Sequence, residues 1–209
     1  MKLIGADYLL LLLYLNEKEP IRGAVKLTKM MFLFEKQIAP MLKKKGLESD
    51  KLPEFFAYNY GPFSKDIYQQ LDLFKSINFI KIEDECTNEE LSSADNIVEN
   101  EFEDGCIDEE LSSADNMVEN EFVDECYEGD IELKTENNYW IYKITDKGSG
   151  YVESELLPNI EEQHKILLEQ FKKKITDMPT KKLLYYVYTQ YPEYTDKSLI
   201  KEEVLKNGD

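Results

Sequence analysis

Apolar residues in the first forty positions recur at the spacing of buried helices. Residues 6–16 contain the run YLLLLLYL behind Asp7 and predict a buried first helix that ends before Pro20. A second helix is predicted from about Val25, because apolar residues then follow at steps of three and four. The residues on that face are Leu27, Met30, Met31, Phe34 and Ile38. Pro40 should kink or end this helix.

The following segment predicts a turn, a third helix and a strand. FFAYNY at 55–60 is short and aromatic, which favours an extended or turn-like conformation, and Gly61-Pro62 stops it. Ser64 can then cap a third helix. The inward face of that helix consists of Ile67, Leu71 and Phe74. FIKIE at 79–83 alternates as a half-buried strand.

The second half of the chain predicts a hairpin and long helices. DIELK at 130–134 and NYWIYKI at 138–144 are expected to be hairpin strands joined by TENN. Thr145, in the turn TDKG, can cap the next helix. Pro158 should open a long helix, and a last helical unit, KKLLYYVYTQYPEY, begins at Pro179. The long helix keeps one face, made of Ile160, His164, Leu167, Phe171 and Ile175.

This order of elements is that of a winged helix. We therefore predict a mostly α (α+β) protein with a small antiparallel β-hairpin as the wing and long C-terminal helices. The third helix would be the recognition helix. Residues 1–83 and 130–209 would form the winged-helix domain, with residues 84–129 as an insertion in the wing that does not belong to the packed core.

Charge sets the insertion apart from the rest of the chain. The formal net charge is −18 over 209 residues, and residues 81–132 alone contain 21 acidic side chains and one basic side chain, Lys81. A thirteen-residue phrase, ELSSADN(I/M)VENEF, occurs twice there, starting at Glu90 and at Glu110. The remainder of the chain is nearly neutral.

The acidic repeat supports several interpretations. It could be a solvated, extended insertion, a pair of docking motifs that fold on a basic partner and gain avidity, or a mimic of a nucleic-acid backbone. Neither copy has the register of a calcium-binding loop. In each copy the apolar residues step by three and four, as on a narrow helical stripe. The candidate partner-binding residues on these stripes are Leu91, Val98, Phe102, Leu111, Val118 and Phe122.

The turn YGPFS at 60–64 has a structural and a functional interpretation. Gly61 suits a tight backbone and Pro62 fixes φ, which explains the turn without any ligand. Alternatively, Tyr58, Tyr60 and Phe63 form an exposed aromatic anchor for a protein partner, because aromatic residues dominate interface hot spots.

The third helix offers a possible nucleic-acid surface. Its outward residues would be Lys65, Gln69, Gln70 and Lys75, and glutamine can read adenine edges while lysine contacts phosphates. Asp66 and Asp72 share that surface, so an ordinary solvated face is the alternative. The acidic segment beside the wing would also repel DNA, which disfavours DNA as a partner. The short basic runs at 43–45 and 172–174 are expected to end helices.

Signatures of catalysis, metal binding and membrane insertion are missing from the sequence. Three cysteines and one histidine, His164, have no zinc-site spacing, and His164 is expected to be a core residue. Ser64 has no nucleophile motif around it. We therefore expect a non-enzymatic protein with no catalytic residues, metal or cofactor. The apolar run near the N-terminus is too short to span a membrane, and the sparse thiols suit a cytoplasmic location.

Three segments carry a resemblance to a known group. LTKMMFLFEK, then FFAYNYGPFSKDIYQQLDLFKSINFI, then YKITDKG are similar to the SocA-like antitoxin domain, also called Panacea, and to the related YwgA-type proteins. The resemblance covers about residues 4–83 and 130–155. It implies a small winged-helix-like, non-enzymatic protein, encoded beside toxins or on phage genomes, that binds a partner such as a toxin; the founding antitoxin delivers its toxin to a protease. The acidic repeat departs from this family pattern.

Overall fold

The computed structural model describes residues 2–86 and 138–206. This part of the chain is mostly helical, with small sheets that are chiefly antiparallel, as an α+β protein was predicted to be. The predicted insertion at 84–129, including both copies of the repeat, lies almost wholly outside the described residues.

The first helix, α1, spans Gly5–Lys18 and is the centre of the core, as predicted. Every residue from Tyr8 to Leu13 is buried, because the helix is covered on all sides by later elements. Asp7 accepts a hydrogen bond from the backbone N–H of Ile4 at 2.9 Å and so caps the first turn. Short strands flank α1: β1 (Leu3–Ile4) before it and β2 (Ile21–Arg22) after it.

Helix α2 spans Ala24–Leu33 and continues through a π-helical segment, Phe34–Ile38, into α3 (Ala39–Lys44). All five residues of its predicted face are buried. Pro40 was predicted to kink or end the helix. The α-helical hydrogen-bonding pattern changes to a π-helical one just before it, and the helical path then continues into α3. The π-helical turn directly precedes the proline, which lies in the first turn of α3.

A small hairpin precedes the third predicted helix. Strand β3 (Ser49–Asp50) pairs with β1, and β4 (Phe56–Tyr58) then pairs antiparallel with β5 (Gly61–Phe63). Helix α4 follows at Lys65–Ser76, and its predicted inward residues are all buried. The expected side-chain cap was wrong: Ser64 occupies the N-cap position, but its buried hydroxyl has no hydrogen-bond partner.

The three-stranded sheet has the order β2–β7–β6, with β6 at Ile80–Cys86 and β7 at Asn138–Ile144. Strand β7 matches its prediction residue for residue. Its partner along the whole length is β6, from Ile80 opposite Ile144 to Cys86 opposite Asn138. The other predicted hairpin strand, at 130–134, lies outside the described residues. Residues 87–137 therefore connect the paired ends of two neighbouring strands.

Helix α5 (Asp146–Tyr151) begins with the predicted cap. Thr145 accepts a hydrogen bond from the Gly148 N–H at 3.1 Å and lies 2.8 Å from the Asn78 carbonyl oxygen, so it ties α5 to the end of α4. A Cβ atom on Gly148 would lie 2.2 Å from the Phe79 carbonyl oxygen, which explains why glycine stands in this turn.

The C-terminal helices cover α1 and α2. A π-helical segment (Val152–Leu156) and a 3₁₀ turn (Leu157–Asn159) come first, so Pro158 opens the turn and not the long helix. The long helix, α6, spans Glu162–Thr176, and α7 spans Thr180–Gln190, beginning where it was predicted. A 3₁₀ turn (Pro192–Tyr194) and α8 (Lys201–Lys206) complete the described chain.

Candidate functional site

A buried lysine lies where α2 meets strand β5 of the aromatic hairpin, the name used here for residues 56–63. Lys29 is 3% exposed, and its Nζ atom donates a hydrogen bond to the carbonyl oxygen of Pro62 at 2.8 Å. The neighbouring Thr28 donates to the carbonyl oxygen of Ala24 at 2.9 Å, and its hydroxyl oxygen lies 3.1 Å from that of Tyr68 on α4. Helix α2 thus holds the hairpin and α4 through two adjacent polar side chains.

Burial dominates the electrostatics of Lys29. Removal from water lowers the pKa of this amino group from 10.5 to about 7, and no other cause contributes. An ammonium ion is costly to bury without a nearby carboxylate, so proton release is the response. Near neutral pH the group therefore exists in both its charged and its uncharged form.

The aromatic hairpin is fixed from several directions. Gly61 has φ +85°, and a Cβ atom there would lie 2.9 Å from the ring of Tyr188 on α7, so glycine is required on both counts. At the hairpin's turn, the carbonyl oxygen of Asn59 accepts a hydrogen bond from the N–H of Leu199 at 2.9 Å, and Ser198 bonds to Tyr188 at 2.7 Å. Residues from the far C-terminus thus hold the turn, which the sequence did not predict.

The predicted aromatic anchor needs a correction. Phe63 is 7% exposed and stacks on Tyr68 with ring centres 5.3 Å apart, so it is a core residue of the hairpin and not an exposed anchor. Tyr58 and Tyr60 are half-buried. Phe56 is 40% exposed and packs edge-on against Phe63 at 5.5 Å, which makes it the outward aromatic residue of the hairpin. Phe56 was not among the predicted anchor residues, because the exposed face of a strand depends on what covers its other side.

A small recess opens beside Lys29, between α2, α4 and the hairpin. We call it the Lys29 recess. It has a free volume of about 20 Å³, room for one water-sized group, and is partly open to solvent. Its walls are largely aromatic. The lining residues are Val25, Thr28, Lys29, Tyr58, Tyr60, Gly61, Phe63 and Tyr68. All three residues of the predicted anchor, Tyr58, Tyr60 and Phe63, thus line one recess together with a lysine that was not predicted as a site residue.

One sequence signal could have identified Lys29. It interrupts the apolar run from Leu27 to Met31, directly beside positions that a helical period places in the core. A lysine in such a place must bury its amino group or reach water along its stem. Pro62 supplies the acceptor that permits burial, and this residue is 33 positions away.

The predicted nucleic-acid residues lie together on α4. Lys65, Gln69 and Lys75 are exposed, and Gln70 is half-buried with a buried side-chain oxygen that has no hydrogen-bond partner. Their surroundings are mixed in charge and partly apolar. Leu73, on the same helix, is 56% exposed. Asp66, on the same helix, accepts a hydrogen bond from the Glu54 N–H at 2.9 Å, so an acidic side chain lies among these residues.

The two basic runs differ in the structure. Lys43, Lys44 and Lys45 are exposed around the end of α3, as expected. Lys172 is instead fully buried and donates hydrogen bonds of 2.7 Å to the carbonyl oxygens of Leu15 and Glu19. It supports the end of α1, where residues 16–18 have positive φ angles. Lys172 is therefore a structural residue and not part of a basic surface.

His164 is buried in the core, as predicted. Its Nε2 atom lies 3.0 Å from the carbonyl oxygen of Lys45, so this nitrogen carries the proton and donates it to the carbonyl. Its Nδ1 atom is buried and has no hydrogen-bond partner. Ser64, the other residue considered for chemistry, is fully buried below the hairpin.

Some of the predicted site residues lie in the acidic repeat, outside the part of the chain that the structure describes. The candidate docking residues of the repeat, Leu91, Val98, Phe102, Leu111, Val118 and Phe122, lie outside the described residues. Among residues 2–86 and 138–206, no group of three or more His, Cys, Asp or Glu side chains could hold a metal ion. Within the same ranges, none of the helices combines the length and apolar character that crossing a membrane requires.

Comparison of the chain with protein-family models, curated proteins and solved structures gives no match. The resemblance to the SocA-like antitoxin domain rests on the three quoted segments. In the structure the first two segments are in contact through Lys29 and Pro62. The third meets the end of the second, where the Thr145 N–H donates to the Phe79 carbonyl oxygen at 3.0 Å.

Proposed function

We propose that this chain is a non-enzymatic, cytoplasmic protein-interaction module of the antitoxin or defence-regulating kind, and that it binds a protein partner through the aromatic hairpin. The supporting observation is an exposed aromatic residue, Phe56, on a hairpin that the body of the protein holds rigidly. An aromatic side chain on a fixed support binds with little loss of conformational entropy. The winged-helix arrangement of α4, β6 and β7 belongs to the same proposal.

The hairpin has the properties of a preorganised contact surface. Phe56 packs against Tyr58 and Phe63 with ring centres 6.0 Å and 5.5 Å away, so its exposed face has a defined direction. Lys29 holds strand β5 from inside the protein, and Leu199 holds the turn from the C-terminal segment. A partner would meet a surface that needs no reordering before it binds.

In this proposal the acidic segment adds electrostatic capture of a basic partner, such as a toxin or a DNA-binding protein. Residues 87–137 contain 19 acidic side chains and one basic side chain, Lys134, so the rest of the chain has no formal net charge. Such a concentrated charge accelerates association with a basic surface and makes the rate depend on salt. The two copies of the repeat would raise avidity for a partner that has two basic sites.

An affinity measurement with matched variants tests the hairpin. The partners tested are the proteins that the wild-type chain captures from a lysate of the source cells and the product of the neighbouring gene. The affinity of each partner is measured for wild type, Phe56→Ser and Ile166→Ser. Ile166 is the control because it is 44% exposed on α6, away from the hairpin. Phe56→Ser should weaken the specific partner by about 10-fold or more, as loss of a hot spot does, while Ile166→Ser should not. Equal affinity of all three proteins would contradict the proposal.

The alternative is a DNA-binding regulator, which the exposed Lys65, Gln69 and Lys75 on α4 favour. Duplex DNA binding over a salt series separates the two functions. A regulator should bind tightly, and Lys65→Met or Lys75→Met should each lower by about one the slope of log binding constant against log salt concentration.

A third candidate function is a DNA mimic that acts through its acidic residues. It should compete with DNA for a nuclease or repressor, and replacement of residues 87–137 by a short turn should abolish that competition.

A further inference from the structure

Within the part of the chain that the structure describes, no negatively charged side chain compensates the buried amino group of Lys29. Its single hydrogen-bond acceptor within the described residues is the neutral carbonyl of Pro62, and two of its three ammonium hydrogens remain for other acceptors. Charged groups contribute nothing to its pKa, so burial acts alone. An anion that reaches this amino group would stabilise its charged ammonium form.

The Lys29 recess is the path by which an anion can reach the amino group. It lies between the hairpin and α4, reaches the lysine, and is partly open to solvent. The titratable side chains that face it are tyrosines: Tyr58 and Tyr60 from the hairpin and Tyr68 from α4, with Tyr188 of α7 behind Gly61. Tyrosine is uncharged near neutral pH, so these walls neither repel nor neutralise an incoming anion.

We propose that the Lys29 recess binds a single carboxylate group of a partner polypeptide, with the Lys29 ammonium as its counter-ion. The recess has room for one water-sized group, so one carboxylate oxygen can enter it while the carbon and its stem stay at the open mouth. The aromatic side chains around that oxygen shield the ion pair from water. The carboxylate can belong to an aspartate or glutamate side chain or to a chain terminus, since both present the same group. This inference rests on the proposed protein-binding function and names the chemistry of the partner at that surface.

Binding should be coupled to protonation. A carboxylate favours the charged form of Lys29, so occupancy raises the pKa of this amino group and takes up a proton from solvent above neutral pH. The anion binds the ammonium form, whose population falls from about 90% to about 10% between pH 6 and pH 8 when the pKa is about 7. The affinity for a carboxylate should therefore fall about tenfold over this range.

Formate is the probe for the first experiment, because it is the smallest carboxylate. The full chain, labelled with ¹³C at the lysine ε-carbons, is titrated with sodium formate and with sodium chloride at equal ionic strength. We expect a saturable formate-dependent shift of the Lys29 signal, a raised Lys29 pKa in formate, and about tenfold weaker binding at pH 8 than at pH 6. Identical Lys29 signals in formate and chloride would overturn the inference, since the recess would then hold water only.

Peptides identify the source of the carboxylate. Acetyl-Gly-Asp-Gly-amide, its Asn counterpart and acetyl-Gly-Gly with a free terminus are added to wild type, Lys29→Met and Lys65→Met. Lys65 is the control because it is exposed on α4. Binding by the Asp peptide indicates a side-chain carboxylate, and binding by the free terminus indicates a chain end; both require loss in Lys29→Met and retention in Lys65→Met. Equal binding of the Asn peptide, or binding retained in Lys29→Met, would refute the site.

These outcomes are separable from failure of the proposed function. If Phe56→Ser weakens the partner but formate does not reach Lys29, the docking surface stands and the carboxylate site falls. If formate binds at Lys29 but no variant of the hairpin affects a protein partner, the recess is an anion site without the docking function. The wild-type formate titration needs no variant, so a folding defect in Lys29→Met cannot obscure the result.

Discussion

The amino group of Lys29 donates a hydrogen bond of 2.8 Å to the carbonyl oxygen of Pro62 and thereby joins helix α2 to strand β5 of the aromatic hairpin. A neutral amine could make the same bond, so the positive charge is not needed for this contact. The protein therefore keeps a buried ionisable group at a place where a methionine would fill similar space. Because the amino group that holds the hairpin can gain or lose a proton, the stability of the hairpin should depend on pH.

Lys29→Met should stabilise the protein in slightly acidic solution. The substitution removes the cost of burying an ammonium ion and leaves one carbonyl, that of Pro62, without its donor. We expect a gain of about 1–3 kcal/mol in the free energy of unfolding at pH 6.5, measured by urea denaturation. The exposed Lys65→Met is the control and should change stability by less than about 0.5 kcal/mol. A loss of stability in Lys29→Met at this pH would contradict the electrostatic account.

The same pair of proteins should show a pH dependence of known sign. The pKa of Lys29 is about 7 in the folded state, and the ordinary value of 10.5 applies to the unfolded state. Between pH 7 and pH 10.5 the unfolded state therefore binds more protons than the folded state. Wild-type stability relative to Lys29→Met should therefore rise with pH, by about 2.5 kcal/mol from pH 6.5 to pH 9. A constant difference across this range would show that the group titrates normally.

Gly61→Ala should destabilise the hairpin, and Gly46→Ala separates the causes. Both glycines have positive φ, +85° and +89°, but an added Cβ meets the Tyr188 ring at 2.9 Å only at Gly61 and meets nothing within 4 Å at Gly46. We expect a loss of about 1 kcal/mol at Gly46 from backbone strain and about 2–4 kcal/mol at Gly61, where crowding adds to the strain. Equal losses in thermal or urea unfolding would mean that the tyrosine moves aside freely.

Thr145→Ala should cost about 1–2 kcal/mol of unfolding free energy, because it removes the helix cap and the bond to the end of α4 together. The hydroxyl accepts from the Gly148 N–H and lies 2.8 Å from the Asn78 carbonyl oxygen. Thr145→Ser keeps both bonds and is the matched control, with an expected loss of less than about 0.5 kcal/mol. If serine and alanine destabilise equally, the methyl group and not the hydroxyl is what matters.

Replacing residues 87–137 by Asn-Gly should leave the fold intact. Cys86 and Asn138 are directly opposed at the end of the β6–β7 ladder, so a two-residue turn can close it. Shortening the connection from 51 residues to two should raise stability by up to about 3 kcal/mol through loop-closure entropy. A drop in the urea midpoint would show that the removed residues pack against the body and would contradict the prediction of an insertion outside the core.

Features that depend on neighbouring residues were predictable from the sequence. The buried faces of α2 and α4 follow from side chains spaced three and four apart, which occupy one side of a helix in any context. Strand β7 and the Thr145 cap were found for the same reason: alternation and the threonine hydroxyl act within a few residues. The concentration of acidic side chains in residues 81–132 is likewise a property of the sequence alone.

Features that depend on distant residues were decided by the tertiary structure. Phe63 and Ser64 are buried because α2, α4 and the hairpin converge on them, so neither the exposed anchor nor the side-chain cap exists as predicted. Lys172 is buried because carbonyls some 150 residues earlier accept its hydrogens. The sequence by itself determined the longer helices and strand β7, since their patterns are local, but not the short strands β1, β2 and β3, which form by pairing with distant residues. The tertiary structure decided which polar and aromatic side chains face water, because burial depends on residues far away in the chain.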